Sequence, residues 1–194
     1  MPFRLVNLLV LAGLAATPAS NAIQQQPQLP VAVCVVAPRV EPVEDADALG
    51  IVPVARPRLV VVEPLLELRI ARPRATTWRL VSTPEQPIRT PLDWPTAPIL
   101  PGELVLLQLR PQDAAADAFA HVHLVGAAAG RMESTRRLIE GLQDSGAAWV
   151  NAIDTALREG DVPLAWSLLF APQAPADADL QAIQEEVVRR GCGG

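Results

Sequence analysis

Phe119-Ala120-His121-Val122-His123-Leu124-Val125, then Gly126-Ala127-Ala128-Ala129-Gly130, then Glu133 to Gln143, is the stretch where this chain changes period. Before Gly126, Ala120, Val122 and Leu124 occupy every second position, so they share one face of a strand, and both histidines fall on the other. After Gly130, Leu138, Ile139 and Leu142 return at helical spacing. Two glycines around three alanines mark the join. The chain before it reads as sheet and the chain after it as helix.

The N-terminal side supports the sheet reading. Of 20 prolines, 15 lie between Pro27 and Pro111. Each removes a backbone donor and interrupts a helix, so this region cannot be helical. Val105, Leu107 and Leu109 alternate after Glu103. Leu66 to Ile70 and Trp78 to Leu80 alternate too, while Val31 to Val36 and Leu59 to Val62 are continuous apolar runs. Glu41 to Gly50 is acidic and reads as a loop. Pro84 to Pro101 reads as a rigid connection holding Trp94. Several short strands without intervening helices imply an antiparallel, sandwich-like arrangement.

On the C-terminal side, Ser145 is placed to cap a helix over Ala147 to Glu159, with Trp149, Ile153, Ala156 and Leu157 on one stripe and Gly160 ending it. Asp161 and Pro163 suit the start of a short third helix that ends at Pro172. Asp177 or Asp179 opens a fourth, with Leu180, Ile183 and Val187 inward and Gly191 as its cap. The expected fold class is α+β: a small antiparallel β-sandwich-like N-terminal region, then a helical region of three to four short helices. The expected organisation is 1–22 leader, 23–57 proline-rich segment with one strand, 58–126 sandwich-like domain and 127–194 helical region.

Two short stretches carry a resemblance. Leu100-Pro101-Gly102-Glu103, followed by alternating Val105, Leu107 and Leu109, resembles the turn and strand of fibronectin type III and other immunoglobulin-like sandwiches. Those modules usually carry a tyrosine where Val105 stands. Trp149 to Pro172 is similar to one tetratricopeptide hairpin through Trp149, Gly160-Asp161, Ala165 and Leu169. It departs from that pattern at the small Ala152 and Ala156 and in its short second helix. A plain helical hairpin packed on the sheet accounts for the same residues, and neither resemblance supplies a function.

Met1 to Ala22 has the layout of a secretory signal peptide: Arg4, an apolar run from Leu5 to Ala16, then Ser20-Asn21-Ala22 with small residues before Ile23. The run is about a dozen residues, whereas a membrane-spanning helix needs roughly 20. The expectation is cleavage, no transmembrane anchor afterwards, and a periplasmic or secreted product. In an exported chain the two cysteines, Cys34 and Cys192, most simply form one disulfide.

The formal net charge is −5, which opposes binding to phosphate backbones and excludes nucleic acid as the expected partner. Arg56, Arg58, Arg69, Arg72 and Arg74 cluster locally but are interleaved with proline and apolar residues. Arg72 and Arg74 are candidate binding residues there, against a plain solvated strand edge. Trp94 is the candidate recognition aromatic, against local packing.

His121 and His123 are the only histidines, and on a strand they share one face. They are candidate ligands for zinc or copper if Asp113, Asp117 or Glu103 supplies a third; the plainer reading is two polar residues on a solvated face. No Gly-x-Ser-x-Gly, phosphate loop or dinucleotide fingerprint occurs. The resulting expectation is an exported, non-catalytic binding protein of the cell envelope without a cofactor. Its partner would be another envelope protein or a surface polymer. The alternatives are a metal-assisted hydrolase using His121 and His123, and a structural envelope component.

Overall fold

The computed structural model describes residues 31–43 and 46–191. The leader and Cys192 lie outside the described residues. Among the described residues the architecture is mixed α+β, with eight strands in two sheets followed by four helices.

The larger sheet grows from β7 (Leu104–Pro111) and β8 (Ala120–Gly126), which pair antiparallel with Leu107 opposite Val122. Their alternation decides which face is buried. Val105, Leu107, Leu109 and Leu124 are fully buried, and Val122 nearly so. β5 (Leu65–Ala71) pairs with the other edge of β7, and β6 (Trp78–Val81) pairs with β5. Beyond β8 come β3 (Ala46–Val52) and β2 (Glu41–Val43), giving the order β2-β3-β8-β7-β5-β6. β3 runs parallel to β8, with Ala48 opposite Val122 and Gly50 opposite Leu124.

Two expectations need correction here. The segment before residue 58 holds three strands rather than one, and most of the Glu41 to Gly50 stretch, expected as a loop, is strand. The reason lies on the inward face of β3. Of its inward residues only Val52 is large and buried; Ala48 and Gly50 are small where the chain at Arg39 and Val40 passes close by. A Cβ on Gly50 would sit 2.7 Å from the Arg39 carbonyl oxygen and 2.9 Å from Val40 Cγ1. Small inward residues erase the apolar period, while Leu49 and Ile51 point outward and are 40% and 54% exposed. The β3–β8 pairing is also parallel, and so departs from an all-antiparallel arrangement.

A second layer covers the inner face of the large sheet. It consists of β1 (Val35–Ala37) paired antiparallel with β4 (Val60–Val61), together with the 84–101 connection. Val35 and Val61 pack towards the large sheet with Leu68, Ile70, Ile88, Trp94 and Ile99. Cys34, Val36, Ala37 and Val60 pack the other way, into the helical layer. The proline-rich connection is therefore part of the core.

The helices form the third layer: α1 (Ala129–Leu142), α2 (Gly146–Arg158), α3 (Val162–Leu169) and α4 (Ala178–Arg190). The starts of α2, α3 and α4 follow the local chemistry read above, whereas α1 begins at Ala129, before the expected Glu133 and without a side-chain cap. Ser145 accepts from the Ala148 N–H, Asp161 from the Leu164 N–H, and Asp177 from the Asp179 and Leu180 N–H groups. Gly160, at φ 74°, takes the left-handed turn between α2 and α3. Trp149, Ile153 and Ala156 face inward, but Leu157 is 45% exposed and leaves the expected stripe. The end of α4 returns to β1, where a Cβ on Gly191 would meet Val36 Cγ2 at 2.9 Å. No helix among the described residues is long and apolar enough to cross a membrane.

Candidate functional site

A cleft of about 720 Å³ opens where the sheet region meets the helical layer. The 53–58 and 98–101 turns form one wall, α1 the other, and α3 with its following residues the end. Folding of the two regions against each other makes it, since each wall belongs to a different layer. Its lining is largely apolar: Pro38, Pro53, Ile99, Leu100, Met132, Ile139, Trp149, Trp166 and Phe170. Leu100, 61% exposed, stands at the lip.

Charge sits on both walls, and most of it is engaged within its own wall. On α1, Arg136 donates to Glu133 Oε1 at 2.8 Å and Oε2 at 3.0 Å, and also binds Glu140. Arg136 holds the Glu133 carboxyl below the usual carboxylate range, and the same contacts raise the Arg136 guanidinium. On the opposite wall, Arg58 Nε donates to Asp93 at 2.8 Å and Arg56 Nη1 to the Thr96 carbonyl at 3.0 Å. Neither histidine lines the cleft. Its titratable lining is arginine and carboxylate. Such an arrangement can hold an apolar body between ionic rims.

The residues singled out from sequence lie elsewhere. Trp94 is 6% exposed and donates its Nε1–H to the Ala97 carbonyl at 2.9 Å, so it serves packing and loop closure. Arg72, with 13% of its side chain exposed, pins the 96–98 loop. It donates to the Pro98 carbonyl at 3.1 Å, to Glu103 Oε1 at 3.1 Å, to Thr96 Oγ1 at 3.3 Å and to the Ala97 carbonyl. Arg74 is exposed, in the turn before β6, with φ 61°. These three residues do not form one surface. Glu103 also accepts from the Leu100 N–H at 2.8 Å, which closes the Leu100–Glu103 turn without a tyrosine.

His121 and His123 project from the outer face of β8. The carboxylate nearest them is Asp47, brought by the parallel strand β3. Its Oδ1 is 3.8 Å from His121 Nδ1, and its Oδ2 is 3.7 Å from His123 Nδ1. The expected third ligands do not join them. Glu103 is turned to Arg72, and Asp113 and Asp117 are exposed in the loop after β7 without an ion pair to either ring. No group of three His, Cys, Asp or Glu among the described residues is arranged to hold a metal ion.

Of the cleft residues, Met132, Trp166 and Phe170 carried no motif, and neither the arginine cluster holding Arg58 nor the turn beginning at Leu100 pointed to a cleft. They converge only because the helical layer folds back over the second layer. No family model, curated protein or solved structure matches the chain.

Proposed function

We propose that this chain is an exported, non-catalytic binding protein of the cell envelope, and that its cleft receives an apolar segment of another envelope protein. The observation that carries the reading is the cleft itself. Its volume lies in the range of built ligand sites, its floor is apolar and aromatic, and most of the charge on its walls is already paired. A surface polymer of sugars would call for polar groups free to hydrogen-bond along the floor. Pro53, Ile99, Leu100, Met132 and Ile139 favour hydrocarbon instead.

Export rests on the Met1 to Ala22 leader. The disulfide rests on chain geometry: Gly191 packs on Val36, two residues from Cys34. We infer that Cys192 reaches Cys34 and ties the helical layer to the second layer. In the chain-entropy account, closing so long a loop stabilises by about 4–5 kcal/mol.

Affinity capture from envelope extracts tests the function, with the full chain compared against Leu100→Asp and Met132→Glu. Both substitutions sit at the cleft and leave the cores intact. The reading predicts a partner protein held by the native chain and lost by both variants, with melting temperature unchanged. Retention of the same partner by both variants contradicts it.

A further inference from the structure

The outer face of the large sheet lies opposite both apolar cores. Its residues follow from the strand registers. One row across the sheet runs Arg79 on β6, Arg69 on β5, Gln108 on β7 and His121 on β8. The next row runs Ala71, Leu106, His123 and Leu49. Arg110 stands opposite Glu67.

Glu67 is the anomaly of this face. It points outward yet is only 2% exposed, because three arginines lie over it. Arg69 Nε donates to its Oε1 at 2.6 Å, Arg79 Nε donates to the same oxygen, and Arg110 Nη2 reaches Oε2 at 3.5 Å. No other carboxylate among the described residues is within ion-pair distance of these guanidiniums. Three positive charges thus share one negative charge, in a chain whose net charge is −5.

The cluster is also held ready. The Arg69 guanidinium stacks over the Phe119 ring at 4.2 Å, which fixes its plane. Arg69 and Arg79 spend their Nε–H groups on Glu67, and their terminal nitrogens have no hydrogen-bond partner among the described residues. Arg110 is loosely engaged, since its buried Nε also lacks a partner. Ordering long side chains is a large part of what binding an anion costs, and here Glu67 and Phe119 have already ordered them.

We propose that Arg69, Arg79 and Arg110 form a recognition site for one carboxylate, presented by an acidic residue of an extended peptide segment. The site is compact, built around a single glutamate, and so suits one anionic group rather than a polyanion. Guanidinium groups take carboxylates in parallel, two-bond geometry. The row beside the cluster is apolar at Ala71 and Leu106, two residues along each strand, or about 7 Å away. An extended chain repeats its side chains at that same spacing, so a glutamate and an apolar residue two positions away meet the cluster and the apolar row together. The site is separate from the cleft and stands without it.

The experiment follows the Nε–Hε signals of the isotope-labelled exported chain at constant ionic strength. The probes are the peptide acetyl-Leu-Ser-Glu-amide, the same peptide with glutamine for glutamate, and sodium sulfate. The proposal predicts saturating shifts at Arg69 and Arg79 with the glutamate peptide, and at least tenfold weaker binding of both other probes. It further predicts that Arg79→Gln, at an exposed edge position, weakens peptide binding about tenfold while circular dichroism shows the chain still folded at the assay temperature, and that Arg137→Gln has no effect. Shifts no larger than those of Arg137, or equal binding of both peptides, overturn it. Sulfate binding as tight as the glutamate peptide overturns the assignment to a peptide.

Discussion

Glu67 is held ionised by contact rather than by exposure. Hydrogen bonds from Arg79 and then Arg69 outweigh the cost of burial and bring its carboxyl from 4.5 down to about 2. A carboxyl whose folded value is depressed adds stability above its unfolded value and loses it as pH falls towards the folded value. Stability should therefore drop between about pH 4.5 and pH 2, by up to about 3 kcal/mol from this one group. Glu67→Gln leaves three guanidiniums without a counter-charge, and we expect a loss of about 3 kcal/mol at pH 7. Urea unfolding at pH 7, 4 and 2.5 checks both, with the gap between native chain and variant narrowing on acidification. Gly50 supplies a second test at this scale. A Cβ there meets the Arg39 carbonyl at 2.7 Å, so Gly50→Ala should cost about 1–3 kcal/mol in unfolding free energy.

Elements differ in how plainly the sequence announces them, and the difference has physical causes. β7 and β8 are legible because large apolar residues fill their inward positions and polar ones most of the outward positions. α2, α3 and α4 are legible because Ser145, Asp161 and Asp177 cap them with their own side chains. β3 is hidden because Ala48 and Gly50 face inward and its partner β8 lies far along the chain. The core role of the 84–101 connection is hidden because Ile88, Trp94 and Ile99 follow no period, although all three are buried. The anchoring contacts of Arg72 are hidden for the same reason, since its partners lie about 25 residues away and only the fold brings them. The caps give a prediction at this scale. Asp161 both caps α3 and pairs with Arg131 of α1. Asp161→Ala should therefore destabilise more than Ser145→Ala, for which about 1 kcal/mol is expected; equal thermal shifts would remove the link between α1 and α3.

The whole molecule is three layers in which the middle one, β1, β4 and the 84–101 connection, touches both cores. The cleft exists because the helical layer closes over that middle one, and no single segment of sequence encodes it. The proposed Cys34–Cys192 bridge acts at this scale too. Exported protein should show no thiol free for alkylation, and Cys34→Ser should lose about 2–5 kcal/mol of stability. Two alkylatable cysteines in native exported protein would contradict the bridge. Deleting residues 84–101 should unfold the chain rather than leave a protein merely lacking a surface loop, which circular dichroism would show.

The central claim, that the cleft is where this protein holds a partner, is tested most directly by site-specific photo-crosslinking in intact cells. A photo-reactive amino acid replaces Met132 in the cleft, or Leu157, exposed on α2 outside the cleft lining. The account predicts a discrete, protease-sensitive adduct of the exported chain from position 132 and none from position 157. No adduct at 132, or the same adduct from both positions, would contradict it.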